Sequence, residues 1–442
     1  MPLLHLRGKG KKMYKVKNIL ALAFMVAYGV ATGQSGAVLR GTVVDQKTKE
    51  PLPFATINIK GSSIGTISNA SGAFVFQSPT ANGVLRFSFI GYDSYEIDIA
   101  SIPESGVQIE LEPVFIELES LVVRPLTAEE FLRRVVRRFG ENYADDPFQT
   151  KAYYREKFFE NQTPIQYSEG FFKTYYTNFQ TDSTLHQLLL YREEEDLRDL
   201  AFMARKREKK MEKERRKAEK NGEEYDEQPS DNDMIKVAFG GPKEVISDDP
   251  VIEREDFLDT LNFKKYRYEY GENTVFGDKN LITILFKTKG KVDHVKMGGT
   301  ILVDEASNAI VSVEFDGKFV IPAWARPILF AAGFAIHEPI FKKRVQYQEI
   351  DTKWYPQGMI MQVNMGITKR YMFKSNDRSD FDIEQVFNIQ EIEVANPIVI
   401  AEEKRFDVEE DIEEQIKPEE GIGWKDVNVL QIERDFLENA KR

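Results

Sequence analysis

The sequence predicts a mostly β protein with helices, made of an all-β sandwich followed by a larger α+β domain built on an antiparallel sheet. Residues 39–112 contain short runs in which apolar and polar residues alternate, separated by Gly, Asn and Pro. Such period-two runs at close spacing are typical of a sandwich. Between residues 148 and 400 longer alternating runs follow, rich in Tyr and Phe, which suit the half-buried face of a sheet. The chain has no cysteine, so both parts must rest on hydrophobic cores, and 442 residues allow two or more.

The first 33 residues predict a secretory signal peptide that is cleaved near Gly33. They contain six basic residues and no acidic one, and residues 18–31 are almost entirely apolar. A membrane anchor is the alternative, but the apolar run is short for a bilayer span. We therefore expect an exported protein, located in the periplasm or associated with the outer membrane.

Residues 38–113 are expected to form the sandwich, and their motifs are specific. The pattern resembles the carboxypeptidase regulatory-like domain that is common in exported Bacteroidetes proteins. The resemblance implies a small transthyretin-like sandwich without catalytic residues. Ser68 and Asn69 replace the usual Thr-Asp of that family. The residues that carry the resemblance are Gly41, Val43, Asp45, Thr48, Pro51, Leu52, Ala55, Ile57, Ile59, Gly65, Thr66, Gly72, Phe74, Gly91 and Tyr92.

Residues 114–147 are interpreted as a proline-bounded linker and a capped helix. Thr127 and Glu130 have the spacing of a capping box, which marks a helix start. The helix would present one apolar face and, opposite it, four arginines. A solvated basic face is the favoured interpretation over a site for a polyanion. Together with Asn142-Tyr143 and the block at 153–156, this helix resembles the periplasmic part of DUF5686-like proteins of Bacteroidetes, in which a similar sandwich comes first.

Residues 148–400 predict an antiparallel, half-barrel-like sheet. The series from Gly299 to Asp304 and then Trp354-Tyr355-Pro356 looks like the half-barrels of periplasmic lipoprotein carriers, which wrap one helix and leave an apolar concave face. A closed aromatic core is the alternative, and it is the commoner use of alternating aromatic residues. The predicted strand regions are 151–176, 266–270, 281–287, 299–304, 309–315, 341–350, 353–363 and 381–394.

Two segments interrupt or follow this pattern. Residues 192–228 are dense in both charge signs, and their Glu/Lys and Glu/Arg spacing predicts a long charged helix. We expect a solvated helix that packs only at one end; a docking arm for a partner is the alternative. Residues 401–442 form an acidic tail, and 427–440 predict a terminal helix that docks on this molecule or on a partner.

The most apolar stretch after the signal is 321–341, which three prolines divide. The uninterrupted part is too short to span a bilayer. We expect a short helix or loop that either lies over the half-barrel or contacts the membrane surface. The candidate residues for contact with a hydrophobic ligand or a membrane are Trp324, Ile328, Leu329, Phe330, Phe334 and Trp354.

No motif marks a reaction. The four histidines stand far apart, and zinc-peptidase, serine-hydrolase and nucleotide motifs are absent from the sequence. We therefore predict no catalytic, cofactor-binding or metal-binding residue and no cofactor. The net charge of −12 disfavours nucleic acid as a partner. The expected role is non-catalytic: binding or assembly in the cell envelope, with an envelope protein, a hydrophobic ligand or peptide, or a membrane surface as partner. A hydrolase with a carboxylate pair in the second domain is the alternative.

Overall fold

The computed structural model describes residues 36–114, 125–179, 184–194, 201–202, 204–222, 241–246, 248–290, 295–321, 323–407, 410, 412–433 and 436. The predicted signal peptide, most of the predicted linker and parts of the charged insertion lie outside these residues. Within them the chain is mostly β with few helices, so the predicted fold class is confirmed.

The N-terminal part is a sandwich of two small sheets. One sheet has the strand order β4-β1-β7 and the other β3-β2-β5-β6. Alternate residues point between the sheets, so Val43, Phe76, Leu85 and Phe87 are completely buried. The strands are β1 (Ala37–Asp45), β2 (Thr56–Ile59), β3 (Gly65–Ile67), β4 (Ala73–Ser78), β5 (Val84–Ser88), β6 (Tyr95–Asp98) and β7 (Val107–Leu111).

The sequence motifs of the sandwich have local physical causes. The Asp45 carboxylate accepts hydrogen bonds from the backbone N–H groups of Lys47 and Thr48 at 2.6 and 2.7 Å, which closes the turn after β1. The Tyr92 hydroxyl donates to the same carboxylate at 2.8 Å. Gly72 has a φ of +74°, a left-handed conformation that favours glycine. Asp45 therefore joins two motifs that are distant in sequence.

The second part is built on one eleven-stranded sheet in which all neighbouring strands are antiparallel. Its order is β10-β9-β8-β18-β17-β16-β15-β14-β13-β11, with β12 paired to β13. Strands β10 and β11 stand at the two ends of this order. The strands are β8 (Phe148–Glu160), β9 (Thr163–Tyr176), β10 (Thr184–Glu194), β11 (Tyr266–Tyr270), β12 (Thr274–Phe276), β13 (Lys279–Thr288), β14 (Val295–Asp304), β15 (Ile310–Phe319), β16 (Phe334–Ile350), β17 (Lys353–Lys369) and β18 (Asp377–Glu393).

Strand β16 begins seven residues before the predicted start at 341. The prediction stopped at Pro339 because proline cannot donate to a sheet ladder. In the structure the pairing with β17 shifts register between His337 and Ile340, so Pro339 lies in an irregularity where it breaks no ladder hydrogen bond.

One face of the large sheet is covered by helices α1 (Ala128–Arg137), α2 (Phe139–Asn142) and α4 (Lys243–Ile246). The capping box of Thr127 and Glu130 is present, as predicted. Apolar residues of α1, including Leu132 and Val135, are completely buried in the same core as the sheet. A cavity at this face, under α4, has a volume of about 30 Å³, which is room for about one water molecule. At this face the described residues therefore form a closed aromatic core and not an open apolar concave surface.

The opposite face of the large sheet carries the sandwich and the C-terminal tail. Phe54 and Ile67 of the sandwich share a buried cluster with Tyr153, Val386 and Leu430. The predicted terminal helix is wrong for residues 427–433, which have no helical structure. Hydrogen bonds to other segments hold this chain instead: the Asn428 N–H donates to Gln390 at 3.0 Å, and the Gln77 N–H donates to the Asn428 side chain at 2.6 Å. The rest of the predicted helix lies outside the described residues, except Phe436.

The charged insertion contains the helix α3 (Ala204–Asn221), which agrees with the prediction. Nearly all described side chains from 208 to 222 are exposed. Its root is fixed, because the N–H groups of Ala201 and Phe202 donate to the Glu160 carboxylate at 2.7 Å and the Phe202 ring is buried against Phe381. The described contacts thus anchor the helix at its N-terminal end.

Candidate functional site

A cluster of exposed apolar side chains lies at one end of the large sheet. Helix α5 (Ala325–Ala331) lies in the connection from β15 to β16, and residues 370–376 connect β17 to β18. Pairing of Phe334 with Lys369, and of Lys369 with Asp377, places both connections at the same end. We call this surface the apolar tip and define it as Phe319, Trp324, Ile328, Leu329, Phe330, Phe334, Met372 and Phe373.

The tip exposes large apolar side chains to an unusual extent. Trp324 and Phe330 are 72% and 70% exposed, and Met372 and Phe373 are 88% and 95% exposed. Helix α5 has no buried residue. Single exposed apolar side chains are common, but a contiguous group marks a surface that contacts another apolar body. The tip is therefore a candidate contact surface.

The backbone beneath the tip is fixed by the sheet. The Arg370 N–H donates to the Gly333 carbonyl at 2.7 Å, and the Lys369 ammonium donates to the Ala332 carbonyl. These contacts satisfy carbonyls at the C-terminal end of α5, where a cation is also favoured by the helix dipole. Gly333 has a φ of +74°, which turns the chain back into β16. The helix consequently has a defined position over the strand ends.

A cleft of about 410 Å³ lies between α5 and these strand ends. Apolar groups from Phe319, Leu329, Phe334 and Ile336 line it, and Lys318, Arg326 and Arg370 stand around it. Its volume is within the range of about 300–1,000 Å³ for small-molecule sites. The cleft could hold an apolar chain with an anionic end.

The segments of the tip are basic, although the whole chain is acidic. Residues 318–331 contain two basic residues and no acidic one, and residues 369–378 contain four basic residues against Asp377. The Lys369 ammonium lies 4.1 Å from the centre of the Phe334 ring, and the Arg370 guanidinium 6.0 Å from that of Phe330. Cations and apolar groups thus share one small surface.

The structure brings five of the six predicted contact residues together at the tip, and places the sixth elsewhere. Trp354 is 1% exposed and lies in the core at the start of β17, next to Tyr143. The prediction came from the Trp354-Tyr355-Pro356 motif, which resembles half-barrels with an apolar concave face. Met372 and Phe373 were missed, since two residues in a hairpin show no periodicity; the available signal was an apolar pair enclosed by basic residues.

A buried ion cluster on the tail-covered face was also missed, because no sequence pattern marks it. Arg155 is completely buried and lies 3.3 Å from Glu384 and 3.4 Å from Glu433 of the tail. Lys157 pairs with the same two carboxylates at 2.9 and 2.8 Å. Burial alone would raise the pKa of Glu433, but the two cations hold that pKa below its usual value. The cluster is a structural lock for the tail, and its charges are already balanced.

The clefts give no catalytic arrangement of carboxylates. The small cavity under α4 is lined by one acidic residue, Asp249, and burial raises the pKa of Asp249. No acidic residue lines the cleft at the tip, and a third cleft, between the sandwich and the large sheet, has one, Glu314. Among the residues that the structure describes, no group of three or more His, Cys, Asp or Glu side chains is placed to hold a metal ion. The same described part contains no helix with the length and apolarity to span a membrane.

Comparison with known proteins identifies the N-terminal domain. Residues 39–123 match the family model of the CarboxypepD_reg-like domain, so the predicted resemblance is confirmed for this part. A curated relative, the TonB-dependent receptor P3 of Formosa agariphila, is 26% identical over 113 residues. The match covers 26% of this chain and 11% of the receptor's length. The resemblance of the second domain to DUF5686-like proteins stays a prediction.

Two solved structures are distantly similar. One, titled for lipid–protein interactions in lipovitellin, has a TM-score of 0.22 and 9% identity, and the match covers 58% of this chain and 26% of that one. The other is described as a membrane-associated protein of unknown function from Bacteroides fragilis; its TM-score is 0.15 at 12% identity, and the match covers 82% of this chain and 100% of that one. At these TM-scores neither likeness supports an argument.

Proposed function

We propose that this protein is a non-catalytic component of the bacterial cell envelope that attaches to a lipid membrane through the apolar tip. The observation that carries the proposal is the exposure of Trp324, Phe330, Met372 and Phe373, each 70% or more, on one basic-rimmed end of the sheet. Peripheral membrane proteins combine these two features, because apolar side chains enter the acyl boundary while Lys and Arg remain at the headgroups.

The energies favour such attachment. Full burial of a large apolar side chain contributes about 1.5–3 kcal/mol, so several at once suffice for reversible binding. Each basic residue close to an anionic surface adds about 1 kcal/mol. Because the sheet holds α5 and the hairpin in place, little conformational entropy is lost when the tip enters the membrane.

Three features support an envelope location. The first 33 residues have the pattern of a signal peptide, the chain carries the regulatory-like domain, and a curated relative is a TonB-dependent receptor. We propose that the mature protein is exported and lies in the periplasm or at the outer membrane. A protein partner in the envelope could bind the apolar tip as well.

A second candidate function is the holding of one hydrophobic ligand. The cleft of about 410 Å³ at the tip favours it, since its lining is apolar with cations at the rim. An acyl chain with an acidic headgroup would suit this lining. Native mass spectrometry of protein isolated from the envelope distinguishes the two: a co-purified lipid of defined mass supports the carrier, and protein without one supports membrane attachment alone.

The membrane proposal is tested by co-sedimentation with vesicles of phosphatidylethanolamine and phosphatidylglycerol. The wild-type protein should bind, and Phe330→Asp or Phe373→Asp should each reduce the bound fraction about tenfold, because a charge opposes insertion by more than 1.4 kcal/mol. Neither side chain is in the core, so the melting temperature should stay within about 2 °C of wild type.

The matched control is Ile398→Asp, since Ile398 is 67% exposed and follows the opposite end of β18. It should bind as the wild type does. Equal loss of binding in the control, or unchanged binding in both tip variants, would rule out the tip as the attachment surface. The alternative, a hydrolase with a carboxylate pair, receives no support from the lining of the described clefts.

A further inference from the structure

A second cleft, distinct from the tip, lies between the sandwich and the large sheet. We call it the interdomain cleft; its volume is about 350 Å³. Phe54, Phe89 and Ile90 of the sandwich form one wall. The floor is the face of β13–β16 opposite the helices. Small-molecule sites lie preferentially at such domain interfaces, and this volume is within their usual range.

The floor of the interdomain cleft is polar where a covered sheet face is usually apolar. Two cross-strand rows run along it: Leu302 pairs with both Thr283 and Ser312, and Glu314 pairs with both Thr300 and Arg344. On the other face of the same strands, Ile284, Ile301, Val313 and Val345 are buried and all apolar. The strands thus have one apolar face toward the core and one face with hydroxyl and charged groups. Packing of the sandwich against this second face does not by itself explain why it is polar.

The hydrogen-bonding capacity of the floor is not used up among the described residues. Thr283 is 6% exposed, and its hydroxyl oxygen has no hydrogen-bond partner among the described residues. The Ser312 hydroxyl donates to the Val345 carbonyl at 3.0 Å and keeps its lone pairs as acceptors. The Thr283 oxygen is shielded from solvent, whereas Thr300 lines the cleft and is half-buried, so a ligand can reach the Thr300 hydroxyl.

The charges that line the interdomain cleft balance. Glu314 pairs with Arg344 at 2.6 Å and, outside the cleft, with Lys342 at 2.8 Å. Burial alone would raise the pKa of Glu314, but hydrogen bonds and charge from Lys342 and Arg344 lower it below its usual value. Glu314 is therefore ionised at neutral pH, and the lining presents one negative and one positive group. Such a surface gives no net attraction to an anion or a cation.

We propose that the interdomain cleft binds a neutral saccharide. Sugar hydroxyls both donate and accept, which matches the mixture of Thr and Ser hydroxyls, the Gln346 amide and the Glu314–Arg344 ion pair on the floor. The apolar faces of a sugar ring would pack against Phe89 and Ile90. The inference does not rest on the membrane proposal, because the apolar tip and the interdomain cleft share no residue.

The test uses the full mature chain on a glycan array that carries neutral and anionic glycans, followed by calorimetry with the best neutral glycan. Thr300→Val removes one hydroxyl of the floor at nearly constant volume and should weaken binding about three- to tenfold. Gln346→Ala removes a group that donates and accepts, and should weaken binding about tenfold or more. The tip variant Phe373→Asp should bind glycan as the wild type does.

The folded state is controlled by thermal melting: Thr300→Val keeps a β-branched side chain of similar volume at a half-buried strand position, so its melting temperature should not fall. A wild-type protein that binds no glycan above the level of Gln346→Ala would overturn the proposal. So would preference for anionic glycans, or neutral binding that neither substitution weakens. Loss of vesicle binding with retained glycan binding in Phe373→Asp would show that the two surfaces act separately.

Discussion

At the scale of the residue, buried charges decide which segments stay attached to the large sheet. Glu433 supplies a carboxylate to both Arg155 and Lys157 from a tail that has no regular secondary structure over 427–433. A strand that carries Tyr153, Arg155 and Lys157 on one face predicts a polar face in a sheet that is solvated on that side. The tail covers this face instead, and its Glu433, together with Glu384 of the sheet, balances the charge of the two buried cations.

We therefore expect Glu433→Gln to destabilise the protein by about 3 kcal/mol at pH 7, because the two buried cations, Arg155 and Lys157, then share the single carboxylate of Glu384. The pKa of Glu433 is lowered in the folded state, so its contribution is present above the unfolded pKa and is lost as pH falls through the folded one. The difference in the free energy of unfolding between wild type and variant should therefore decrease at acidic pH. Urea denaturation at pH 7 and pH 4 measures it, with exposed Glu402→Gln as the control. A difference that is small at pH 7, or that grows in acid, would contradict the lock.

His186 gives a second dependence on pH. Its ring nitrogens lie 3.0 Å from the Thr174 hydroxyl and 3.1 Å from that of Thr184. Burial lowers the pKa of His186 from about 6.5 to about 4. Between these values the unfolded chain binds a proton that the folded one does not, so stability falls as pH decreases from 6.5 to 4, by on the order of 3 kcal/mol.

His186→Gln keeps a donor and an acceptor for the two threonines but does not titrate. We expect the stability of this variant to fall less steeply between pH 6.5 and pH 4 than that of the wild type, as followed by urea denaturation. The same substitution at half-buried His337 controls for the change of side chain. Parallel pH profiles for wild type and His186→Gln would refute the assignment.

At the scale of the element, local periodicity predicted what local residues determine. Strand β11 was predicted with its observed bounds, and the capping box gave the start of α1. The predictions failed where contacts between residues distant in the sequence determine the local structure. The strand predicted to begin after Pro339 extends back to Phe334 through a register shift. Residues 427–433 have helical spacing but are held by the side chains of Gln77 and Gln390. No local pattern could have placed α5 beside the hairpin that holds Phe373, because their meeting depends on the order of β15 to β18.

Helix α3 is an element whose stability is mainly its own. Its exposed side chains form pairs such as Glu212 with Arg216, each worth a few tenths of a kcal/mol, and an isolated helix of this length is marginal in water. We expect the amides of residues 206–220 to exchange with deuterium within seconds to minutes, and those around Ile284, in the buried centre of the sheet, to remain protected for hours. Hydrogen–deuterium exchange followed by mass spectrometry on the isolated protein measures the exchange rates of both segments. Strong protection of 206–220 would mean that α3 is packed.

At the scale of the whole molecule, charge is distributed unevenly along the long axis of the sheet. Strands β16 to β18 each have 17 residues and extend roughly 55 Å. The basic tip is at one end, while residues 34–442 as a whole contain 54 basic against 72 acidic residues. Near an anionic membrane the tip is attracted at close range and the remaining body is repelled at longer range.

This arrangement predicts a maximum in the salt dependence of membrane binding. The screening length is about 30 Å at 0.01 M salt, so repulsion of the acidic body is felt there; at about 0.15 M it is about 8 Å, and mainly the tip interacts. At 1 M the attraction of the tip is screened as well, and only apolar insertion remains. Binding to vesicles with phosphatidylglycerol should thus be strongest near 0.15 M, and binding to neutral phosphatidylcholine vesicles should show no such maximum. A steady increase with salt on anionic vesicles would show that the six basic residues of the tip segments contribute no attraction, and a steady decrease would show that the acidic body is too distant to oppose them.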